Sequence, residues 1–270
     1  MEAIMTDTVS VTLIQMKIAS SVEHNLAHAE ELIALSKGSI VVLPEMFCCE
    51  YNNHSFRTNA QPAGGPIYKF LSRSAQKYGN LLVGGSFPEL DAGKIYNTCF
   101  VFDRNGVQIA RHRKKHLFDI NIHGGQSFRE SDTFSSGNTT TVFDSEFGPL
   151  GIAVCFDIRF PTQFTDMAER GARAVFVPAA FNMTTGPLHW ELLFRSRAAD
   201  NQFFIFGTAP ARDTSAGYVS YANSIAVDPW GRVISRAGED ERLIEVDVDL
   251  SQVCSVREQI PLFKNGIRIR

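Results

Sequence analysis

Cys155 closes the apolar run Gly151-Ile152-Ala153-Val154 and is followed by Phe-Asp-Ile-Arg-Phe-Pro, where Pro161 is suited to open a helix. A thiol on a sharp strand-to-helix turn is open to a substrate, and a helix N-terminus lowers its pKa, so Cys155 is a candidate nucleophile. Glu45 closes a second apolar run, Ile40-Val41-Val42-Leu43-Pro44. Burying an unpaired carboxylate is costly. In an active site such an acid can serve as general base, with burial raising its pKa toward neutrality. The run Arg111-His112-Arg113-Lys114-Lys115-His116 puts a basic residue near position 114 at a further strand end. Each feature has a plain alternative. Free cysteines are among the most buried and inert residues, a lone glutamate often marks an exposed strand end, and a charge run is usually solvated. On residue types alone, a pair of Cys155 with His116 or with His189 also stays open.

The elements that must position these residues alternate along the chain. Val11 to Met16 reads as a strand, Val22 to Ser36 as an amphipathic helix with Leu26, Ala29 and Ile33 on one face, and Ile40 to Leu43 as a buried strand. A helix over Pro66 to Tyr78, a strand over Leu81 to Ser86 and a hairpin about Asp103-Arg104-Asn105-Gly106 complete a first unit. Residues 119 to 139 are polar and aperiodic, as functional or disordered loops are. The second half repeats the pattern: LGIAVC answers VTLIQM, AVFVPA answers IVVLPE, FFIFG answers LLVGG, and SIAVDPWGRVIS answers CFVFDRNGVQIA, with helices over 164–170 and 189–201 between. Ala179 stands where the first unit has Glu45, so the fold itself does not require a carboxylate there. The class implied is α/β, with two related half-sheets face to face and helices outside: a four-layer αββα sandwich with an internal pseudo-two-fold repeat. No linker separates the halves, so one domain over residues 1–270 is expected, with Leu250 to Arg270 as a tail on another surface. Strand ends on such sheets gather ligands, which would bring Glu45, the basic residue and Cys155 together.

Composition excludes other classes. The 270 residues carry 26 Lys and Arg against 29 Asp and Glu, a net charge of −3, leaving no basic excess for nucleic-acid phosphates. Apolar runs are strand-sized, so no bilayer span is expected, and the first ten residues show no cationic signal region. Five cysteines without CxxC spacing predict free thiols in a reducing, cytoplasmic setting. His24 and His28 lack the glutamate of a HExxH zinc site, and the Gly-Gly pairs match no nucleotide loop. Cys48-Cys49 reads as pocket wall.

Together VVLPEMF, HRKKHLFDI and GIAVCFDIRFP resemble, in order, the three catalytic signatures of the nitrilase (carbon-nitrogen hydrolase) superfamily. The resemblance runs from about Val11 to Phe263. It implies an αββα sandwich and carries a Glu-Lys-Cys triad onto Glu45, Lys114 and Cys155. The family pattern selects Lys114 over Lys115, which spacing could not do. A further family glutamate falls on Glu130 in SFRES, where it would position Lys114 or the leaving amine. The chemistry implied is hydrolysis of a C–N bond through a cysteine thioester, with Lys114 and the backbone N–H of Phe156 holding the oxyanion, and with no metal and no organic cofactor.

The stretch FNMTTGPLHWELLFRSRAADNQ, then TAPARD and DPWGRV, most resembles the omega-amidase branch. The substrate implied is a small dicarboxylate monoamide such as 2-oxoglutaramate or 2-oxosuccinamate; N-carbamoyl compounds handled by the same triad, or a non-catalytic binding module, are the alternatives. Arg159 is the candidate for the substrate carboxylate, or else a structural ion-pair partner beneath the Cys155 turn. Phe181, Met183 and Thr184 are expected to line the pocket, while His189, Trp190, Arg195 and Arg197 read as packing and ion-pair residues. The resemblance also implies a homodimer or larger homo-oligomer.

Overall fold

Alternation along the strands decides the layering. In the computed structural model, which describes residues 7–264 and 266–269, a first set of strands comprises β1 (Thr8–Gln15), β2 (Ile40–Val42), β3 (Leu81–Val83), β4 (Phe87–Asp91), β5 (Lys94–Phe102) and β6 (Gln108–Arg113). Val11, Leu13, Ile40, Val42, Leu81, Val83, Cys99 and Val101 point to one side and join a core shared with the second half of the chain. Their neighbours Ile14, Val41, Leu82, Phe100 and Phe102 point to the other side. That outer face is covered by α1 (Val22–Leu35) and α3 (Pro66–Tyr78), which lie against each other, while the one-and-a-half-turn α2 (Asn53–Thr58) sits near the edge. Successive side chains of a strand face opposite sides, so apolar residues at every position demand cover on both.

The second half builds β9 (Thr141–Ser145), β10 (Gly148–Ile152), β11 (Ala174–Pro178), β12 (Phe204–Thr208), β13 (Ile225–Val227) and β14 (Val233–Arg236), a sheet in that order reversed. Its helices α4 (Pro161–Glu169) and α5 (Gly186–Asn201) pack together and bury Phe164, Met167, Trp190 and Phe194 in the shared core. In both halves three strands run parallel and an antiparallel hairpin follows. The four-layer αββα sandwich with an internal repeat is therefore the architecture of this chain.

Two strands that the sequence reading passed over tie the halves together. After the first unit the chain crosses and β9 pairs with β10, in the second sheet. After the second unit, β15 (Arg242–Asp249) returns to pair antiparallel with β1 along all eight residues. Each half thus donates its last strand to the other's sheet. Segment 119–139, expected as a long functional or disordered loop, contains a hairpin of β7 (Asp119–Asn121) and β8 (Ser127–Arg129) and then a 3-10 turn over Glu130–Asp132. Three-residue strands carrying polar side chains have too short a period to register in sequence. The C-terminal stretch, expected as a tail on another surface, is ordered against its own chain. It forms α6 (Gln252–Gln259) and a hairpin of β16 (Phe263–Lys264) and β17 (Ile267–Arg268), held to this chain by Gln202 Nε2 on the Ile260 carbonyl (2.6 Å) and Glu169 on the Arg268 amide (3.1 Å). The first six residues, where no signal region was read, lie outside the described residues.

Candidate active site

Glu45 stands three residues beyond β2, in a turn fixed from β3. The Leu43 amide donates to the Val83 carbonyl (3.0 Å), the Ser86 amide to the Pro44 carbonyl (3.3 Å), and Ser86 Oγ accepts from the Met46 amide (3.1 Å). Gly85, at φ +57°, allows this approach, since a Cβ there would lie 2.2 Å from the Pro44 carbonyl oxygen. The Glu45 side chain is fully buried. Its Oε1 accepts from Lys114 Nζ and from Asn97 Nδ2, each at 2.9 Å.

Lys114 follows β6 directly and is also fully buried. Its ammonium sits between Glu45 and Glu130, the latter at 2.8 Å from Oε2. Burial alone would lower its pKa, but the charges of Glu130 and Glu45 outweigh this and hold it above the ordinary lysine range. Glu130 is fixed in turn by Asn97 Nδ2 (2.9 Å) and the Phe118 amide (2.6 Å). Burial pushes the Glu130 carboxyl up; Lys114 pulls it down and Glu45 adds to the rise, with a net upward shift. Asn97, on β5, therefore bridges the two carboxylates, a role that sequence reasoning missed because a single asparagine within a strand carries no spacing signal.

Cys155 ends its strand run at φ +45°, a left-handed backbone that non-glycine residues seldom adopt and that marks a sharp elbow. The elbow enters a 3-10 turn, Cys155–Arg159, and α4 begins only at Pro161. The expectation that a helix N-terminus lowers the thiol pKa is reversed: burial and then the Glu45 carboxylate push the Cys155 thiol well up, against Lys114 and the Ala180 N–H. The resting thiol is thus neutral. Glu45 Oε2, beside it, is buried without a hydrogen-bond partner. The turn's first backbone bond joins the Asp157 amide to the Val154 carbonyl (3.1 Å), so the Phe156 amide precedes the ladder.

Asp157 is the second residue that the sequence did not disclose. Its buried carboxylate accepts from His112 Nε2 (2.9 Å), His116 Nδ1 (2.9 Å), the His116 amide (2.9 Å), the Lys115 amide (3.2 Å) and the Val154 amide (3.0 Å). It clamps the cysteine elbow to the segment that carries Lys114. Burial would raise this carboxyl, but the hydrogen bonds from His112 and His116 hold it well below the usual carboxylate range. A depressed folded-state pKa gives stability that is present above the unfolded value near 4 and is lost as pH falls through the folded one. Asp157→Asn is expected to cost about 3 kcal/mol, the scale for breaking a buried charged pair. Urea unfolding at pH 7 checks this, and the gap to the parent protein should narrow as pH drops below about 4. The histidines considered as partners of Cys155 are engaged elsewhere: His116 on Asp157, and His189 through Nδ1 on Arg159 (3.1 Å).

A cavity of about 660 Å³ reaches Glu45, walled by Tyr51, Phe128 and Tyr218 and floored in part by Ala180. Cys49 of the pair expected as pocket wall lines it too, whereas Cys48 does not. Arg159, Phe181, Met183 and Thr184, the expected substrate contacts, are not among its lining residues. The Arg159 guanidinium lies 5.4 Å from the Phe156 ring and 5.0 Å from the Phe181 ring. It has no carboxylate within salt-bridge reach among the described residues, and its Nε is buried without a partner. The alternative of a structural ion pair beneath the elbow is therefore not what the geometry contains. Phe181 packs edge-on against Trp190 at 5.1 Å, and Met183 and Thr184 are exposed on the loop before α5. Among the described residues no cluster of three His, Cys, Asp or Glu side chains could hold a metal ion, and no helix is long and apolar enough to cross a membrane.

Comparison with known proteins agrees with the family resemblance and the fold. Residues 10–258 match the carbon-nitrogen hydrolase family. The chain is 42% identical over 257 residues to omega-amidase NIT2 of Danio rerio, covering 94% of this chain and 93% of that one. It is 44% identical over 255 residues to omega-amidase NIT2-B of Xenopus laevis, covering 93% and 92%. Among solved structures, Saccharomyces cerevisiae Nit3, a member of the nitrilase superfamily, superposes with a TM-score of 0.88 at 38% identity, covering 95% of this chain and 96% of that one.

Proposed function

This chain belongs to the carbon-nitrogen hydrolase family, and from that premise we propose that it hydrolyses the terminal amide of small dicarboxylate monoamides through a thioester on Cys155. The observation that carries the mechanism is the placing of one ammonium and one unpartnered carboxylate oxygen beside a neutral buried thiol. Glu45 takes the thiol proton as Sγ bonds to the amide carbon. The carbonyl π electrons move to oxygen, and that oxyanion is held by Lys114 Nζ and the Phe156 N–H. Collapse breaks the C–N bond, and the leaving nitrogen takes the proton from Glu45 and departs as ammonia. Glu45 then deprotonates water, which adds to the thioester. The second oxyanion expels the Cys155 thiolate, which recovers its proton from Glu45, and the product acid gives its own proton to solvent and leaves as a carboxylate. Glu130 and Asn97 keep Lys114 and Glu45 in register, and no step calls for a metal or an organic cofactor.

The omega-amide assignment draws on the relatives above and on Arg159, a half-buried cation with no acidic partner among the described residues. A buried cation lacking a counter-charge is a place for a ligand carboxylate. Ammonia release from 2-oxoglutaramate, succinamate, N-carbamoylputrescine and 3-ureidopropionate tests this. Turnover of the first two is expected, with Arg159→Met raising KM for both by about tenfold or more. Turnover confined to the carbamoyl compounds would leave the triad and overturn the substrate.

The strand exchange supports reading residues 1–270 as one hydrolase domain, since neither half completes its sheet alone. We propose a homodimer or larger homo-oligomer formed through α5, where Leu188 and Leu192 are exposed beside a groove that Trp230 also lines. Sedimentation velocity showing a monomer at micromolar concentration would contradict it. Five free thiols, with Cys254 at the surface, support a cytoplasmic setting.

A further inference from the structure

Tyr51 presents a phenol hydroxyl that has nothing to bond. The side chain is 9% exposed, and its Oη is buried with no hydrogen-bond partner among the described residues. A buried hydroxyl left unpaired is costly, so each instance in a folded protein asks for a reason. The ring cannot turn to find one. It stacks on Tyr218 at 4.4 Å, meets Phe56 edge-on at 5.1 Å and leans on Phe128 at 5.6 Å. Tyr218, the phenol beside it, is satisfied by donating to the Ala180 carbonyl.

Tyr51 lines the cavity that reaches Glu45. Burial, then the charges of Glu130 and Glu45, hold its phenol above the ordinary range, so it stays a donor at working pH. Among the partners an amide substrate brings, the carbonyl oxygen is assigned to Lys114 and the Phe156 N–H. The amide nitrogen offers donors. The acceptor that fits a phenol donor is then an oxygen on the substrate chain beyond the amide carbon. We propose that Tyr51 Oη–H donates to that oxygen, the distal carboxylate of an omega-amide, and so separates such substrates from plain aliphatic amides. This rests on the omega-amide reading above and adds a neutral contact distinct from Arg159.

The test is kcat/KM of the parent enzyme and of Tyr51→Phe on succinamate and on butanamide, which keeps the chain length but lacks the acceptor. Phenylalanine preserves the aromatic stack, and thermal melting checks that the variant is folded. The expected result is a loss of about 10- to 100-fold on succinamate, mainly in KM, with less than about a threefold change on butanamide. Inhibition by succinate and by butyrate reads the same contact without turnover. An equal change on both compounds, or no change on either, overturns the role of Tyr51. A parent enzyme with no preference for succinamate over butanamide contradicts the omega-amide reading instead, so the two failures are told apart.

Discussion

Cys155→Ala is expected to lower amide turnover by about 10⁴-fold or more, the scale seen when a covalent nucleophile is removed. The loss should not come from unfolding. Alanine fits the space of a side chain that is already 4% exposed, and it meets the left-handed backbone at φ +45° no better and no worse than cysteine. Thermal melting within a few degrees of the parent, together with lost ammonia release, is the expected pair of results. The size of the loss follows from the state of the thiol. Burial and the Glu45 carboxylate keep it protonated, so catalysis depends on transfer of its proton to Glu45 at the moment of attack and not on a standing thiolate. Alkylation by iodoacetamide should accordingly be slow in a Glu45→Gln variant, although the thiol itself remains.

Lys114→Met carries the second large effect, and it acts on rate and stability together. Removing one oxyanion donor costs about 10² to 10³ in rate. Removing this cation also leaves Glu45 and Glu130 buried without their counter-charge, a loss of about 3–5 kcal/mol. Adding Glu130→Gln should return much of the stability, because one carboxylate then has no charge to bury, and none of the rate. Urea unfolding and ammonia release on the single and double variants separate the two terms. The parent's gain from this pair has a stated pH window. Its folded-state pKa is raised, so the stabilisation is fully present below the unfolded lysine value near 10 and is lost only as pH climbs past it.

The residues proposed to react were legible because each sits where an apolar strand stops. Glu45 follows a run of five apolar residues and Cys155 a run of four, and a charged or nucleophilic side chain in that place has few structural excuses. Lys114 needed the resemblance, since Lys115 is its immediate neighbour and spacing alone does not choose between them. The residues that hold them in place were not legible. Asn97 and Asp157 act through partners that lie far away in sequence, 52 positions for Asn97 to Glu45 and 45 for Asp157 to His112. Hydrogen bonding of that range leaves no local pattern. Tyr51 hid for the same reason, as its neighbour in the stack is Tyr218.

The fold divided along similar lines. Long periodic elements such as the helix from Pro66 to Tyr78 stood where its pattern placed it. The exchanged strand β15 did carry an alternating signal, Ile244, Val246 and Val248 against Glu245, Asp247 and Asp249, yet its pairing with β1 could not be foreseen across an interval of more than 220 residues. The thiol's environment was misjudged because a proline six residues on suggested a helix start at the cysteine. The chain spends those residues on a 3-10 turn whose carboxylate, Asp157, serves the elbow.

Rapid-quench intact-mass spectrometry with succinamate tests the central claim most directly. The account predicts a covalent species carrying the acyl group without the amide nitrogen, formed within the first turnover, located on the Cys155 peptide and missing from Cys155→Ala. Ammonia release at the parent rate by Cys155→Ala, or turnover of succinamate by a parent enzyme that never carries the acyl group, would contradict it.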